Sequence, residues 1–225
     1  MKLYLKICGC LILIITGLSG CASSLVYSPS MQLPVQPLKK EQSQAGIGLV
    51  LLPETRPSPA ERKTAIGVEG FLRYGFSNKF SMQVRYWNDI HSSGDANRAG
   101  FSFSGTHLLG DSSSKTRFGL TIGSGILLNN YTLEPLGISI IGSMWLPELS
   151  NSFRPYCSIG LLTGFHVSST FKEWGGGILL QGGFAWNLSQ IWTLNLEGSF
   201  IGQANFYEDI SHGIPSLSLS STITF

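Results

Sequence analysis

The chain has 225 residues, of which 12% are charged and 11% aromatic, with 27 glycines and a formal net charge of +2. Soluble domains carry roughly 25% charged residues and about 7% glycine, so this balance fits a secreted β-sandwich or a membrane barrel better than an ordinary cytosolic domain. No basic run exceeds Lys39-Lys40, which leaves no argument for nucleic acid. Beyond residue 21 no apolar stretch reaches the eighteen or so residues that a transmembrane helix needs. A chain of this kind that enters a membrane does so as a closed barrel, because nothing else satisfies every backbone group in hydrocarbon.

The N-terminus combines Lys2 and Lys6 with an apolar core over 7–18 that is too short to span a bilayer, which predicts a signal peptide over 1–20. Leu18-Ser19-Gly20-Cys21 resembles the lipobox of bacterial lipoproteins. That resemblance implies cleavage before Cys21, acylation of its thiol and amine, and partners in the lipoprotein-sorting machinery. Cys8 and Cys10 leave with the signal, so Cys157 is the one thiol left over, and the mature chain offers neither a disulfide framework nor a zinc-ligand set. Residues 21–44 are rich in Ser, Pro and Gln without periodicity, which predicts an extended lipidated tether. The folded part is expected over 45–225.

From residue 45 onward the chain reads as short β-like runs broken by turn chemistry, with no helical period. Over 65–76, Ile66, Val68, Leu72, Tyr74 and Phe76 oppose Glu69 and Arg73. Over 80–87, Phe80, Met82, Val84 and Tyr86 oppose Ser81, Gln83 and Arg85. Over 116–126, Phe118, Leu120, Ile122 and Ile126 oppose Arg117 and Thr121. Over 192–200, Trp192, Leu194, Leu196 and Phe200 oppose Thr193, Asn195, Glu197 and Ser199. The last run, 216–225, sets Leu217, Leu219, Ile223 and Phe225 against Ser218, Ser220, Thr222 and Thr224. Runs around 99–109 and 178–188 alternate less cleanly, and those around 45–52, 136–146 and 154–166 are weak. Together they predict an all-β chain of about ten strands, or eight if two weak runs are not strands.

The connections read alternately long and short along the chain, as the loops and turns of outer-membrane barrels do. Large aromatics gather near strand ends. Phe76, Phe80, Trp145, Phe153, Tyr156, Trp186, Trp192 and Phe225 lie near the short connections, and Tyr86, Trp87, Tyr131, Phe171 and Trp174 near the long ones. Two girdles of amphipathic rings, one at each membrane interface, account for that spacing. The rival architecture is a lipid-tethered periplasmic β-sandwich, which would bury its aromatics in mid-strand.

Alternating strands, loop asymmetry and a terminal aromatic together resemble the small monomeric outer-membrane β-barrels of Gram-negative bacteria. The resemblance covers roughly 45–225 and implies a closed, antiparallel, up-and-down transmembrane barrel with both ends in the periplasm. Its implied partners are membrane lipid and the barrel-assembly machinery, whose C-terminal recognition signal the last run resembles.

With apolar faces toward lipid, Glu69, Arg73, Gln83, Arg85, Arg117, Gln181, Asn195 and Glu197 fall inside, where a salt-bridged network is expected to fill a narrow lumen. The alternative is a narrow, weakly anion-selective channel or a conduit for small or hydrophobic solutes. A third reading rests on Asp89, His91, Asp95, Glu208, Asp209 and His212, set near the outer rim. An Asp–His pair there is similar to the omptin proteases, ten-stranded barrels in which carboxylate and imidazole could activate water. The chain is shorter than that family and does not match its remaining acidic residues. The triple glycine at 175–177 lacks the Lys-Ser/Thr and helix of a phosphate loop. The expectation is a non-enzymatic barrel without cofactor or metal, with a structural role or a role in surface interaction through its outer loops.

Overall fold

The structure, a computed structural model, describes residues 38–53, 64–89, 98–111, 114–129, 132–149, 152–167, 172–205 and 210–225. It contains ten strands: β1 (Ser43–Pro53), β2 (Thr64–Ser77), β3 (Phe80–Asp89), β4 (Arg98–Leu109), β5 (Arg117–Asn129), β6 (Thr132–Trp145), β7 (Phe153–Val167), β8 (Lys172–Asn187), β9 (Trp192–Asn205) and β10 (Ile210–Thr224). Each pairs antiparallel with its chain neighbours, and β1 pairs with β10 from Gln44↔Thr224 to Leu51↔Leu217. The sheet is therefore a closed up-and-down barrel, with no free edge along the β1–β10 junction. All ten expected runs are strands.

Period-two alternation sorts the side chains by face. Ile47 (71% exposed), Leu72, Val84, Phe103, Ile122, Ile159, Leu180, Leu196 and Leu219 all point outward and are exposed, and so do apolar residues on every strand. A soluble monomer seldom exposes an apolar patch beyond a few hundred Å², whereas here the patch encircles the molecule, as a surface facing lipid requires. The opposite face is the interior. In β10, Ser218, Ser220 and Thr222 are buried while Leu217, Leu219 and Ile223 are exposed.

The start of β1, Phe225 and the tight turns meet at one end of the barrel, called here the short-turn end. At the β2–β3 turn, Ser77 Oγ accepts from the N–H groups of Lys79 and Phe80 (3.2 and 3.0 Å). Ser189 Oγ does the same for Ile191 and Trp192 before β9 (3.3 and 3.1 Å). Such hydroxyl acceptors fix a short turn by satisfying its free amides. Ser43 and Phe225 exchange both backbone hydrogen bonds, at 2.8 and 2.9 Å.

Three expectations change. The barrel begins earlier than residue 45: the first strand starts at Ser43, and residues 38–42 fold against the short-turn end. Leu38 is buried there, and Glu41 N–H donates to Gly75 O at 2.7 Å. A Cβ on Gly75 would lie 2.1 Å from Lys39 O, so this close approach requires glycine. Composition marks the segment as linker, but its backbone completes a turn.

The second change concerns the connections. β5 runs to Asn129 and β6 resumes at Thr132, β7 runs to Val167 and β8 resumes at Lys172, and β9 runs to Asn205 and β10 resumes at Ile210. In two of the five segments read as long loops, 129–135 and 203–216, most residues continue the strands, because a hydrogen-bond ladder needs no apolar side chains.

Third, the girdle at the short-turn end keeps Phe76, Phe80, Trp186, Trp192 and Phe225 of the expected residues but not Trp145 or Tyr156. Trp186, Trp192 and Phe225 point outward there with Tyr74, Phe76, Phe80, Phe118 and Phe184, and Trp192 Nε1 donates to Ser221 Oγ at 2.6 Å. Trp145 and Trp87 do not belong to any girdle. Both turn inward and are 0% and 2% exposed, and Tyr156 is buried beside Trp145 and Leu108. Nearness to a strand end suggested the interface, but face is set by parity, and Trp87 shares the parity of Ser81, Gln83 and Arg85. Tyr131 and Phe171 lie outside the described residues. The backbone of Trp174 lies in β8, and its side chain is outside the described part.

Candidate functional site in the barrel lumen

A ten-stranded barrel is wider than the eight-stranded ones that ordinary side chains just fill, so large residues must cross the lumen. The structure fills it by setting a big inward ring against a glycine on a neighbouring strand. Trp87 faces Gly100 on β4, where a Cβ would lie 2.2 Å from the indole Cζ2. Phe71 faces Gly46 on β1, with the corresponding gap 2.4 Å to its Cζ. Trp145 lies over Gly119 on β5 and Tyr156 over Gly183 on β8, each leaving 2.6 Å. Any side chain at these glycines would displace a ring from a packed interior.

Between the rings lies a polar belt. Arg85 pairs with Glu69, both buried. The two sit on β3 and β2, where Glu69 is opposite Trp87 and Phe71 opposite Arg85, so the ion pair is a diagonal cross-strand contact. Arg73 donates through Nη1 to Gln44 Oε1 (2.9 Å) and through Nη2 to Ser81 Oγ (3.2 Å). Gln44 in turn donates to Thr224 Oγ1 at 3.2 Å. This chain crosses β10, β1, β2 and β3, and so ties the two ends of the sheet together across the closure. On the other side, Tyr156 reaches past Gly183 and donates to Glu197 Oε2 at 2.7 Å, and Gln181 also hydrogen-bonds Glu197. Asn195 donates to Ser220 Oγ at 3.3 Å. Thr106 and Thr121 share a hydrogen bond of 2.9 Å.

Of the residues predicted for the lumen, Glu69, Arg73, Gln83, Arg85, Gln181, Asn195 and Glu197 are buried inside. Glu69 meets Arg85, and Glu197 meets Gln181. Arg117 stands apart. It is half-buried at the short-turn rim, where its Nε donates to Ser114 O at 3.4 Å.

Arg154 was missed by the sequence reading. Its Nε donates to Leu146 O and its Nη2 to Lys115 O, both at 3.0 Å, and Glu148 lies 4.0 Å away. It fastens the β4–β5 and β6–β7 connections to each other. Its parity, shared with Tyr156 and Ser158, is the signal that could have found it.

The protease-like set is not assembled among the described residues. His91, Asp95, Glu208 and Asp209 lie outside them, and Asp89 and His212 are placed only by backbone, in β3 and β10. Cys21 lies outside them as well. Among the described residues no group of three or more His, Cys, Asp or Glu could hold a metal ion.

No family model and no curated protein matches the sequence. Among solved structures, the barrel is similar to the beta domain of the Bordetella autotransporter BrkA, at 11% identity and TM-score 0.47, over 83% of this chain and 100% of that one. It is similar to the outer membrane protease OmpT from Escherichia coli, at 10% identity and TM-score 0.41, over 88% and 100%. It is also similar to the N-terminal β-barrel domain of Pseudomonas aeruginosa OprF, at 8% identity and TM-score 0.40, over 84% and 100%. These are outer-membrane barrels of different activities, and no residue role passes from them to this chain.

Proposed function

We propose that this protein is a monomeric outer-membrane lipoprotein whose ten-stranded barrel is a filled, non-conducting, non-enzymatic scaffold, acting through the surface that it presents outside the cell. The observation that carries this reading is the state of the interior. Trp145, Leu179 and Ala185 are 0% exposed, and Glu69, Ile141 and Val50 are 1% exposed. The described inward residues are thus largely sealed from water, whereas a channel wide enough for hydrated solutes would leave its lining accessible. The encircling apolar face supports placement in a bilayer. On this reading the short-turn end, where Ser43 and Phe225 meet, faces the periplasm, and the tether to an acylated Cys21 leaves from the same side.

Two measurements test it. Folded protein in planar bilayers is expected to show no unitary conductance steps. Steps whose ion selectivity changes in an Arg117→Ser variant would establish a pore and remove the scaffold reading. Labelled palmitate is expected to be incorporated by cells expressing the chain and lost in Cys21→Ser. Equal label in both variants would mean that the lipobox resemblance is fortuitous.

A further inference from the structure

Positive charge gathers at one place on the short-turn rim, outside the network that fills the lumen. Arg117 and Arg154 stand at the starts of β5 and β7. The connection between β4 and β5 draws their head groups together. Arg154 Nη2 donates to Lys115 O at 3.0 Å, and Arg117 Nε donates to the adjacent carbonyl, Ser114 O, at 3.4 Å. The two guanidiniums thus share one turn and lie close enough for their charges to repel. Lys115, exposed in the same turn, adds a third cation.

Two acids belong to the same connections. Glu148 is exposed and lies 4.0 Å from Arg154 Nη1, and Asp111 opens the turn, where its carbonyl accepts from Ser114 N–H at 3.3 Å. The two guanidiniums differ in how far they are committed. Arg154 is buried, and its Nε and Nη2 are held by Leu146 O and Lys115 O. Arg117 is only half-buried. Among the described residues its one side-chain hydrogen bond is the long one from Nε to Ser114 O, so Nη1 and Nη2 keep all their donors. Holding like charges side by side costs free energy that an anion between them would offset.

The surroundings say which anion fits. A guanidinium with both terminal nitrogens unused is a planar fork that takes two oxygens of one oxyanion. A second fixed guanidinium and an ammonium beside it favour a tetrahedral group with several charged oxygens. Depth points the same way. Phe118, next to Arg117 in the chain, points outward with the aromatic girdle of this end. Arg117 therefore stands at the level of the membrane interface, where amphipathic rings meet the phosphate headgroups. The site lies on the rim and faces solvent, so an anion reaches it without any opening of the wall.

We propose that Arg117, Arg154 and Lys115 form a phosphate-binding site on the short-turn rim. Arg117 supplies the open fork, Arg154 a fixed charge beside it, and Lys115 an ammonium on a flexible stem. The phosphate is that of a phospholipid headgroup or of a soluble phosphate compound, since both present the same oxygens. This goes beyond the scaffold reading and does not depend on which side of the membrane the rim faces.

Two measurements on the full chain test this. In octyl glucoside, which carries no phosphate, inorganic phosphate is titrated at physiological salt and followed by phosphorus NMR line broadening. In parallel, protein taken from phosphatidylglycerol nanodiscs into the same detergent is weighed by native mass spectrometry for retained lipid. Saturable binding is expected, weakened roughly tenfold or more in Arg117→Gln through loss of charged hydrogen bonds, and unchanged in Lys79→Gln, which removes a rim charge elsewhere. Lipid retention that depends on Arg117 assigns the headgroup as the source, whereas binding of inorganic phosphate without retained lipid assigns a soluble one. Should Arg117→Gln fail to fold, Arg117→Lys, which keeps the charge and loses the fork, is expected to weaken binding several-fold. Equal binding by wild type and the Arg117 variant in both measurements, or no binding in either, would overturn the site.

Discussion

Arg85→Ala is expected to destabilise the barrel by about 3–5 kcal/mol, because it strands the Glu69 carboxylate as an unpaired charge in a dry interior. Glu69 is 1% exposed, its partner is Arg85, and Glu197 lies close enough to interact with it electrostatically. Removing the guanidinium therefore leaves two carboxylates in one compartment. The double variant Glu69→Leu/Arg85→Met is expected to recover most of the loss, since a buried ion pair replaced by apolar residues of similar volume is often close to neutral. Urea unfolding in micelles, followed by tryptophan fluorescence, gives both numbers. A loss below about 1 kcal/mol for Arg85→Ala would mark a water-screened pair, and would move the argument back toward a wet, conducting lumen.

The second large effect lies in the ring-over-glycine packing. Gly100→Val is expected to lose about 1–3 kcal/mol, because the new Cβ begins 2.2 Å from Trp87 Cζ2. Trp87→Ala is expected to lose about 3–5 kcal/mol through the space left behind. The double variant should lose less than the sum of the two, since valine occupies part of the vacated volume and residues in contact do not behave additively. Additive losses in the same unfolding measurement would show that Trp87 does not lie across Gly100, and that the lumen is filled in some other way.

Much of the barrel was legible because alternation is a local property. Leu217, Leu219 and Ile223 against Ser218, Ser220 and Thr222 place one strand's two faces without knowledge of any other strand. The same rule collected Glu69, Arg73, Gln83, Arg85, Gln181, Asn195 and Glu197 inside. Where parity was set aside, the reading failed. Trp87 and Trp145 were assigned to membrane interfaces because they stand near strand ends, yet their parity is that of the inward Arg85 and Ser143. The connections after β5, β7 and β9 were read as too long for a related reason. Apolar alternation marks where lipid ends, while the backbone ladder continues past it, as β5 and β6 do to Asn129 and Thr132.

By itself, then, the sequence determined that this chain is all-β, that it has eight to ten strands, which face of the clearly alternating strands is apolar, and that a group of charged and amide side chains lies inside. These follow from the period of two and from the positions of the turns. Only the tertiary structure decided which inward residues meet: that Arg85 pairs with Glu69, that Tyr156 passes Gly183 to reach Glu197, and that Arg73 and Gln44 bridge the closure. Such contacts depend on the register between strands distant in the chain and on the closure of the sheet, which no single strand encodes. A strand's own pattern states its faces, whereas its partners are fixed only once the whole wall has formed.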